Sequence, residues 1–524
     1  MGRGKKEKRT RKNNGKSSII NNYLNIIFVY IIMENYNYIN FIVACDNKGG
    51  IGKEGKLPWQ ISEDMKYFQS ITNGNIVVMG KTTYFSIPDK YRPLSNRLNL
   101  VLTNDVELLK NNHNKKNLKF FNNKDSEKNS DLIRLSNIVI NNPIYNKKDL
   151  FIIGGEKIYN MYFNLLNNFD ISQLKLNKIY LTHINKDYKC DTFFPKLEED
   201  YELIKYSDKK YNKKENSFYR FLEYQKNSIN KVDNEEKYLN IAKNIIDNGN
   251  YREDRTNTGT YSIFGTQMRF NISDNIPILT TKKIPFKTCV HELLWFLNGD
   301  TNNKNLQKKK VRIWDGNSSR EFLDNYGLSH LEEGDCGACY GFQWRHFGAK
   351  YIDCHTDYTD KGFDQIKYVL NLLKTEPYSR RIFLSAWNSA DLDKTCLPPC
   401  HVSIQFFVEN IGDVKYLSGH MYQRSADWFL GEPFNILSYT ILIYLFAKLT
   451  DMKPKELIIS TGDTHIYSNH IEQIKEQMSR SYLTKPKLWI NPDIKNKKLD
   501  EITIDDFDLI GYFSHPVIKG IMAV

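Results

Sequence analysis

Apolar and polar positions change rhythm along this chain, and the changes divide it into two blocks. In the first, short apolar runs predict strands: YINFIVAC (38–45), NIVVMG (75–80), LNLVLT (98–103), DLFIIGG (149–155) and KIYLTHI (178–184). Patterns of helical period such as SEDMKYFQSI (62–71) lie between them. Strands alternating with helices predict an α/β sheet with substantial parallel content. Residues 105–148 interrupt the pattern with a Lys/Asn-rich insertion, which reads as a surface loop. The second block opens on the amphipathic helix pattern EEKYLNIAKNIIDNG (235–249), closed by Gly249 as a C-terminal cap. CVHELLWFLNG (289–299) and FNILSYTILIYLFAKL (434–449) also predict helices, and RIFLSAWN (381–388) and HVSIQFFV (401–408) predict strands. That block is α+β, and the short polar stretch KNSINKVDN (226–234) joins the two.

Composition changes this picture little. A chain of 524 residues needs more than one core. The net charge of +13 invites a nucleic-acid partner, but MGRGKKEKRTRKNNGK holds eight basic residues against one acid. The rest of the chain is only mildly basic and has no basic-aromatic stripe, which suits small anionic ligands better than nucleic acid. Eight cysteines are too sparse for a secreted disulfide framework, so a reducing, cytoplasmic setting is expected. IINNYLNIIFVYIIM (19–33) is too short to span a membrane, and Met33 could serve as an alternative start. Residues 1–35 therefore read as a dispensable or alternative-start extension, with a targeting or anchoring segment as the alternative, followed by domains at 36–225 and 235–524 around a 226–234 linker.

The candidate chemistry lies in motifs. In NKGGIGKEGKLPWQISEDMKYF (47–68) four glycines permit a mobile loop that closes on a ligand. Asp64 shares a helix face with Phe68 and so faces the apolar side, where a carboxylate needs a donor-rich partner. The alternative is an acid favoured by the helix dipole. This stretch, with VVMGKTTYFSIP (77–88), RPLSNRLNLVLT (92–103), FIIGGEKIY (151–159), YLTHI (180–184) and DTFFP (191–195), resembles the dihydrofolate reductase family over about residues 38–225. The resemblance implies that Asp64, supported by Thr182, pairs with the pterin edge. Ala44, Phe68 and Ile87 wall the folate pocket, and Arg97 grips the glutamyl carboxylate. Ala44, Ile51, Gly80, Lys81, Thr82, Thr83, Thr103, Gly154, Gly155 and Tyr159 hold NADPH. The reaction implied is hydride transfer to C6 of dihydrofolate, with a proton reaching N5.

CLPPCH (396–401) leaves three readings open on its own: a metal half-site, a disulfide, or a nucleophile with helpers. DRTNTGTYSIFG (254–265), YSRRIFLSAWN (378–388), YQRSADWFLGEPFN (422–435) and GDTHIYSNH (462–470) add arginines and a His–Tyr pair suited to a nucleotide. Together these motifs resemble the thymidylate synthase family over about 235–524. The resemblance makes Cys400 the nucleophile toward C6 of dUMP, Glu292 the proton relay and Asn435 the reader of the uracil edge. It implies that Arg255, Gln423, Arg424, Ser425, Asp427, His465 and Tyr467 bind dUMP, with Arg380 and Arg381 supplied by the other subunit of a homodimer. Lys282, Trp314, Tyr340, Asp427 and Ala523 would contact methylenetetrahydrofolate. GDCGACYG (334–341) departs from that family. Its Cys336 and Cys339, with Cys354 and His355 beyond, look like half a zinc or redox motif. Four placed ligands are lacking, so small buried thiols and no metal are expected. His420 reads as a core or interface histidine. The rival reading from another class is a nucleic-acid-binding protein on a degenerate enzyme core.

Overall fold

A computed structural model describes residues 37–105, 116–122, 148–168, 174–227, 234–254 and 258–523. The N-terminal extension, most of the Lys/Asn-rich insertion, most of the joint and Arg255 lie outside them. The chain forms two compact units, the second beginning near Ile229 and also taking in Leu197–Asp200.

Among the described residues, the first unit is built on a nine-stranded sheet. Its parallel part runs, in spatial order, Leu174–Ile184, Asn37–Cys45, Leu150–Gly154, Ile76–Gly80, Leu98–Thr103 and Leu118–Asn122. Ile76–Met79 and Leu98–Thr103 are buried along their length, as expected of parallel strands covered on both faces. Ser217–Lys226 then continues the sheet antiparallel to Leu174–Ile184. The helices Ser62–Thr72 and Glu156–Asn168 follow the pattern that predicted them.

One expectation needs correction here. The 105–148 stretch is not loop throughout, because Leu118–Asn122 adds a parallel edge strand to the sheet. Leu118 and Phe120 alternate onto the core side and are buried, a signal masked by the surrounding Lys and Asn. The glycine-rich stretch is tied at one point, where Gly50–Gly52 pairs antiparallel with Thr192–Phe193. Asp46 Oδ1 accepts the Gly50 amide at 2.8 Å. A Cβ on Gly50 would lie 2.4 Å from Cys190 Cβ, so glycine serves close packing at this point.

The second unit packs helices on one face of a six-stranded sheet. Its order is Asn250–Arg252, Thr260–Asn271, Lys453–Tyr467, Val414–Asp427, His401–Ile411 and Phe383–Ser385. All neighbours are antiparallel except Val414–Asp427 with Lys453–Tyr467. The expected strand at 381–388 is reduced to Phe383–Ser385, because the 3₁₀ turn Ser389–Lys394 follows closely. Glu432–Leu449 is apolar on nearly all sides and lies in the core. Gly249 ends the helix Asn234–Asn248 for another reason than a left-handed cap: its φ is ordinary, but a Cβ would lie 2.3 Å from Ile245 O. At the start of that helix buried Glu235 accepts the Thr280 and Thr281 amides at 2.9 and 2.8 Å and Lys485 Nζ at 2.8 Å. These bonds fix the segment that carries Lys282.

Candidate active sites

In the first unit several of the predicted residues lie at the carboxyl ends of the parallel strands, where open α/β sheets bind ligands, whereas Arg97 directly precedes the strand Leu98–Thr103. Ala44, Gly80, Thr103 and Gly154 each lie at or next to the end of their strands. Asp64 lies in the first turn of its helix, is 5% exposed, and accepts Thr182 Oγ1 at 2.7 Å. Thr182 pairs in register with Ala44. Burial pushes the Asp64 pKa up to about 6, opposed by the single bond from Thr182. Phe68 follows one turn later, with the Arg97 guanidinium 5.8 Å from its ring centroid. Arg97 is held by Thr72 Oγ1 at 2.9 Å and Ser95 O at 3.0 Å, and burial lowers its pKa. Ile87 packs on the same apolar cluster as Phe68.

The second group in this unit centres on the Gly154–Gly155 turn, whose peptide is cis. A Cβ on Gly155 would lie 3.2 Å from Thr83 Oγ1, so the turn leaves a cradle that any larger residue would fill. Tyr159 supports it from below, donating to Ile42 O at 2.8 Å. Lys81 is paired with Asp105 at 2.6 Å, and Thr82 is exposed beside it. Ile51 is half-buried in the short strand Gly50–Gly52.

In the second unit Cys400 immediately precedes the strand His401–Ile411 and is partly exposed. Its amide donates to Tyr340 Oη at 2.7 Å, and its carbonyl accepts the Arg424 amide at 2.9 Å. The Arg424 side chain donates to Pro399 O and Pro398 O, both at 2.8 Å, and lies 5.5 Å over the Trp387 ring. A guanidinium is thus tied to the two residues before the thiol. Glu292 accepts Trp314 Nε1 at 2.8 Å, and burial raises its pKa to about 7. A cavity of about 10 Å³, roughly room for one water, is lined by Glu292, His401, Asn435 and Tyr439 among others. His401 stacks on Tyr340 at 4.1 Å and pairs with the Tyr439 hydroxyl at 2.8 Å. Burial holds its pKa down to about 3, so it is neutral and suited to orienting the site rather than to relaying protons.

Asn435 Nδ2 donates to Gln423 Oε1 at 3.1 Å, and Gln423 Nε2 donates to Ser425 O at 3.1 Å. Asp427 accepts the Phe429 and Leu430 amides and pairs in register with His465. His465 Nδ1 meets Asp463 at 3.0 Å, and Tyr467 lies edge-on to its ring at 5.3 Å. Lys282 is buried, with its ammonium on Phe429 O and 3.7 Å over that ring. Burial lowers its pKa to about 7. His470 Nε2 meets Ile521 O at 2.9 Å, fixing the chain two residues before Ala523. Arg380 and Arg381 are exposed in the turn before Phe383–Ser385, where Arg380 borders a groove of about 570 Å³ on the outer sheet face. His420 lines the same groove and is exposed, so it is not a core histidine. Cys336 and Cys339 are fully buried and cluster with Cys396.

Sequence reading missed Tyr439, Trp387 and Glu432. Tyr439 sits four residues beyond Asn435 on one helix, a same-face spacing that could have flagged it. Glu432 is fully buried, and neither carboxyl oxygen makes a hydrogen bond of ordinary geometry. Burial first, and the Asp427 charge next, push its pKa from an ordinary 4.5 to about 8. An acid whose pKa rises on folding takes up a proton, so its cost to stability grows as pH climbs from about 4.5 to about 8. Glu432→Gln should therefore stabilise the chain by roughly a few kcal/mol at pH 9, where the buried carboxylate must be charged, and by much less at pH 5. Melting curves at the two pH values check this, and an equal gain at both would contradict it.

Comparison with known proteins matches each unit separately. A dihydrofolate reductase family model matches residues 38–226, and a thymidylate synthase model matches 236–524. The chain is 41% identical to bifunctional dihydrofolate reductase-thymidylate synthase 2 of Arabidopsis thaliana, over 92% of this chain and 88% of that protein. It is 41% identical to the bifunctional dihydrofolate reductase-thymidylate synthase of Paramecium tetraurelia (93% and 98% covered) and 37% to that of Plasmodium chabaudi (90% and 94%).

Proposed function

Since the chain belongs to the bifunctional dihydrofolate reductase–thymidylate synthase family, we propose how its residues divide the work of two linked reactions. Residues 236–524 convert dUMP to dTMP with methylenetetrahydrofolate, which gives up both its methylene and a hydride and leaves as dihydrofolate. Residues 38–226 reduce that dihydrofolate to tetrahydrofolate. One observation carries the assignment of roles. Asp64, held by the Thr182 hydroxyl, and Glu292, held by the Trp314 indole, are buried acids poised at about 6 and about 7, one in each unit's predicted site. Proton transfer at neutral pH needs acids in that range.

In the reductase, Asp64 pairs with the 2-amino and N3 edge of the pterin and favours protonation of N5. Phe68, Ile87 and Ala44 exclude water, and Arg97 binds the glutamyl carboxylate. NADPH supplies the hydride when bound. The Gly154–Gly155 cradle against Thr83 fits a close-lying ring, and Lys81, Thr82, Thr83, Thr103, Tyr159, Gly80, Ile51 and Ala44 complete that site. Lys81 must exchange Asp105 for a phosphate.

In the synthase, the Cys400 thiolate adds to C6 of dUMP, with Arg424 favouring the anion and, with Ser425 and Arg255, binding the phosphate. Glu292 moves protons at the uracil through water, and His465 and Tyr467 hold the ribose. Trp314, Tyr340, Asp427, Lys282 and Ala523 face the folate. A homodimer is supported by the outer sheet face, where Phe407 (65%) lines the groove that Arg380 borders and Phe383 (45%) is exposed on the neighbouring strand. Arg380 and Arg381 then serve the partner's phosphate site. Among the described residues no helix is long and apolar enough to cross a membrane, and we place the enzyme in the cytoplasm, with residues 1–35 dispensable and 226–234 as linker.

Two assays on one preparation test the whole reading: NADPH oxidation with dihydrofolate, and dihydrofolate release with dUMP and methylenetetrahydrofolate. Absence of either activity overturns that half. Substrate choice is tested at Asn435, whose amide is oriented by Gln423 and leaves one donor for O4 and one acceptor for N3–H. Asn435→Asp should lower kcat/KM for dUMP about 10²-fold or more relative to dCMP. An unchanged ratio would remove Asn435 from base recognition.

A further inference from the structure

The sequence grouped Cys336, Cys339, Cys354 and His355 as half a metal motif, and the fold separates them. The first two are sealed in the core with Cys396. The other two lie at the surface beside a residue the sequence did not point to, Glu332. We propose that Glu332, Cys354 and His355 bind a divalent ion of the zinc class.

Three donor atoms of different chemistry converge at this point. His355 Nε2 is 2.9 Å and Cys354 Sγ 3.9 Å from the same oxygen, Glu332 Oε1. All three donors lie within 4.8 Å of one another. Tetrahedral zinc with nitrogen, oxygen and sulfur ligands sets them roughly 3.3–3.8 Å apart. Modest side-chain rotation suffices to reach that geometry from here.

The backbone is already fixed for it. Buried Asp335 accepts the Cys354 amide at 2.9 Å, and its other oxygen accepts Gly337 N at 2.8 Å and Tyr351 Oη at 2.6 Å. Asp353 accepts the amides of His355 and Thr356, both at 2.9 Å. Consecutive residues Cys354 and His355 are thus each anchored through their amides. A cation already sits on the carboxylate, since Lys304 Nζ is 3.0 Å from Glu332 Oε1. That lysine is about half exposed and can swing into water when an ion arrives.

A thiolate, an imidazole and one carboxylate select zinc, cobalt or nickel over magnesium or calcium. The S–metal bond forms as the Cys354 thiol gives its proton to solvent, and a water completes the fourth position. The ion would clasp two loops. One of them leads through Asp335 to Tyr340, which touches the Cys400 amide.

Cobalt(II) alone, titrated into the full, reduced chain, tests this without reference to either activity. The expected result is one equivalent of near-ultraviolet thiolate-to-cobalt charge-transfer absorption, displaced by zinc. Cys354→Ser should abolish the band, and His355→Ala should weaken cobalt binding at least about tenfold. Both variants should keep both enzyme activities, which shows that they fold. Absence of the band in the unaltered chain, or its survival in Cys354→Ser, overturns the site.

Discussion

Cys400→Ser is expected to lower dTMP formation by at least about 10⁴-fold while leaving dihydrofolate reduction by the same chain unchanged. A serine hydroxyl stays protonated where a thiol ionises, so the proximity of Arg424 no longer supplies a nucleophile. The neighbouring cysteine is the control. Cys396 is 1% exposed, packed against Cys336, and its amide is spent on Cys336 O at 3.1 Å. It has no access to a substrate, and Cys396→Ser should retain dTMP synthesis. Dihydrofolate release, measured with dUMP and methylenetetrahydrofolate, reads both variants. Activity in Cys400→Ser with loss in Cys396→Ser would assign the nucleophile to the other sulfur.

The mirror experiment lies in the reductase. Asp64→Asn should lose about 10²–10⁴-fold in turnover near neutral pH, with folate still bound, because the amide keeps shape and hydrogen bonds but cannot carry a proton. The proton must then come from water, so residual turnover should climb as pH falls. The synthase should be unaffected. NADPH oxidation followed across pH checks this, and unchanged turnover at pH 7 would remove Asp64 from the chemistry.

Much of this is legible in the sequence, for identifiable reasons. NIVVMG is an unbroken apolar run and CVHELLWFLNG a long apolar helix pattern, and each forms its expected element. Asp64 can be singled out because a carboxylate on an apolar helix face is costly and calls for a partner; the partner, Thr182, is more than a hundred residues away and only the family resemblance names it. Leu118–Asn122 is hidden because two buried apolar residues amid Lys and Asn give too weak an alternation. Glu332 is invisible for a different cause. Its relation to Cys354 and His355 is a contact between two loops, and neither loop has a period that could predict where it folds. Gly249 is legible as a stop but not as the kind of stop it is, since crowding against Ile245 leaves no trace in local sequence.

The strand Leu118–Asn122 has a consequence for how this gene can change. It occupies the outermost position of the parallel sheet, with four strands between it and the strand that carries Thr182. Thr182, which donates to Asp64, takes its register from Asn37–Cys45 and Ser217–Lys226 and not from this strand. A peptide inserted next to this strand should therefore leave both activities in place, since the pairing that sets Thr182 against Asp64 is fixed elsewhere in the sheet.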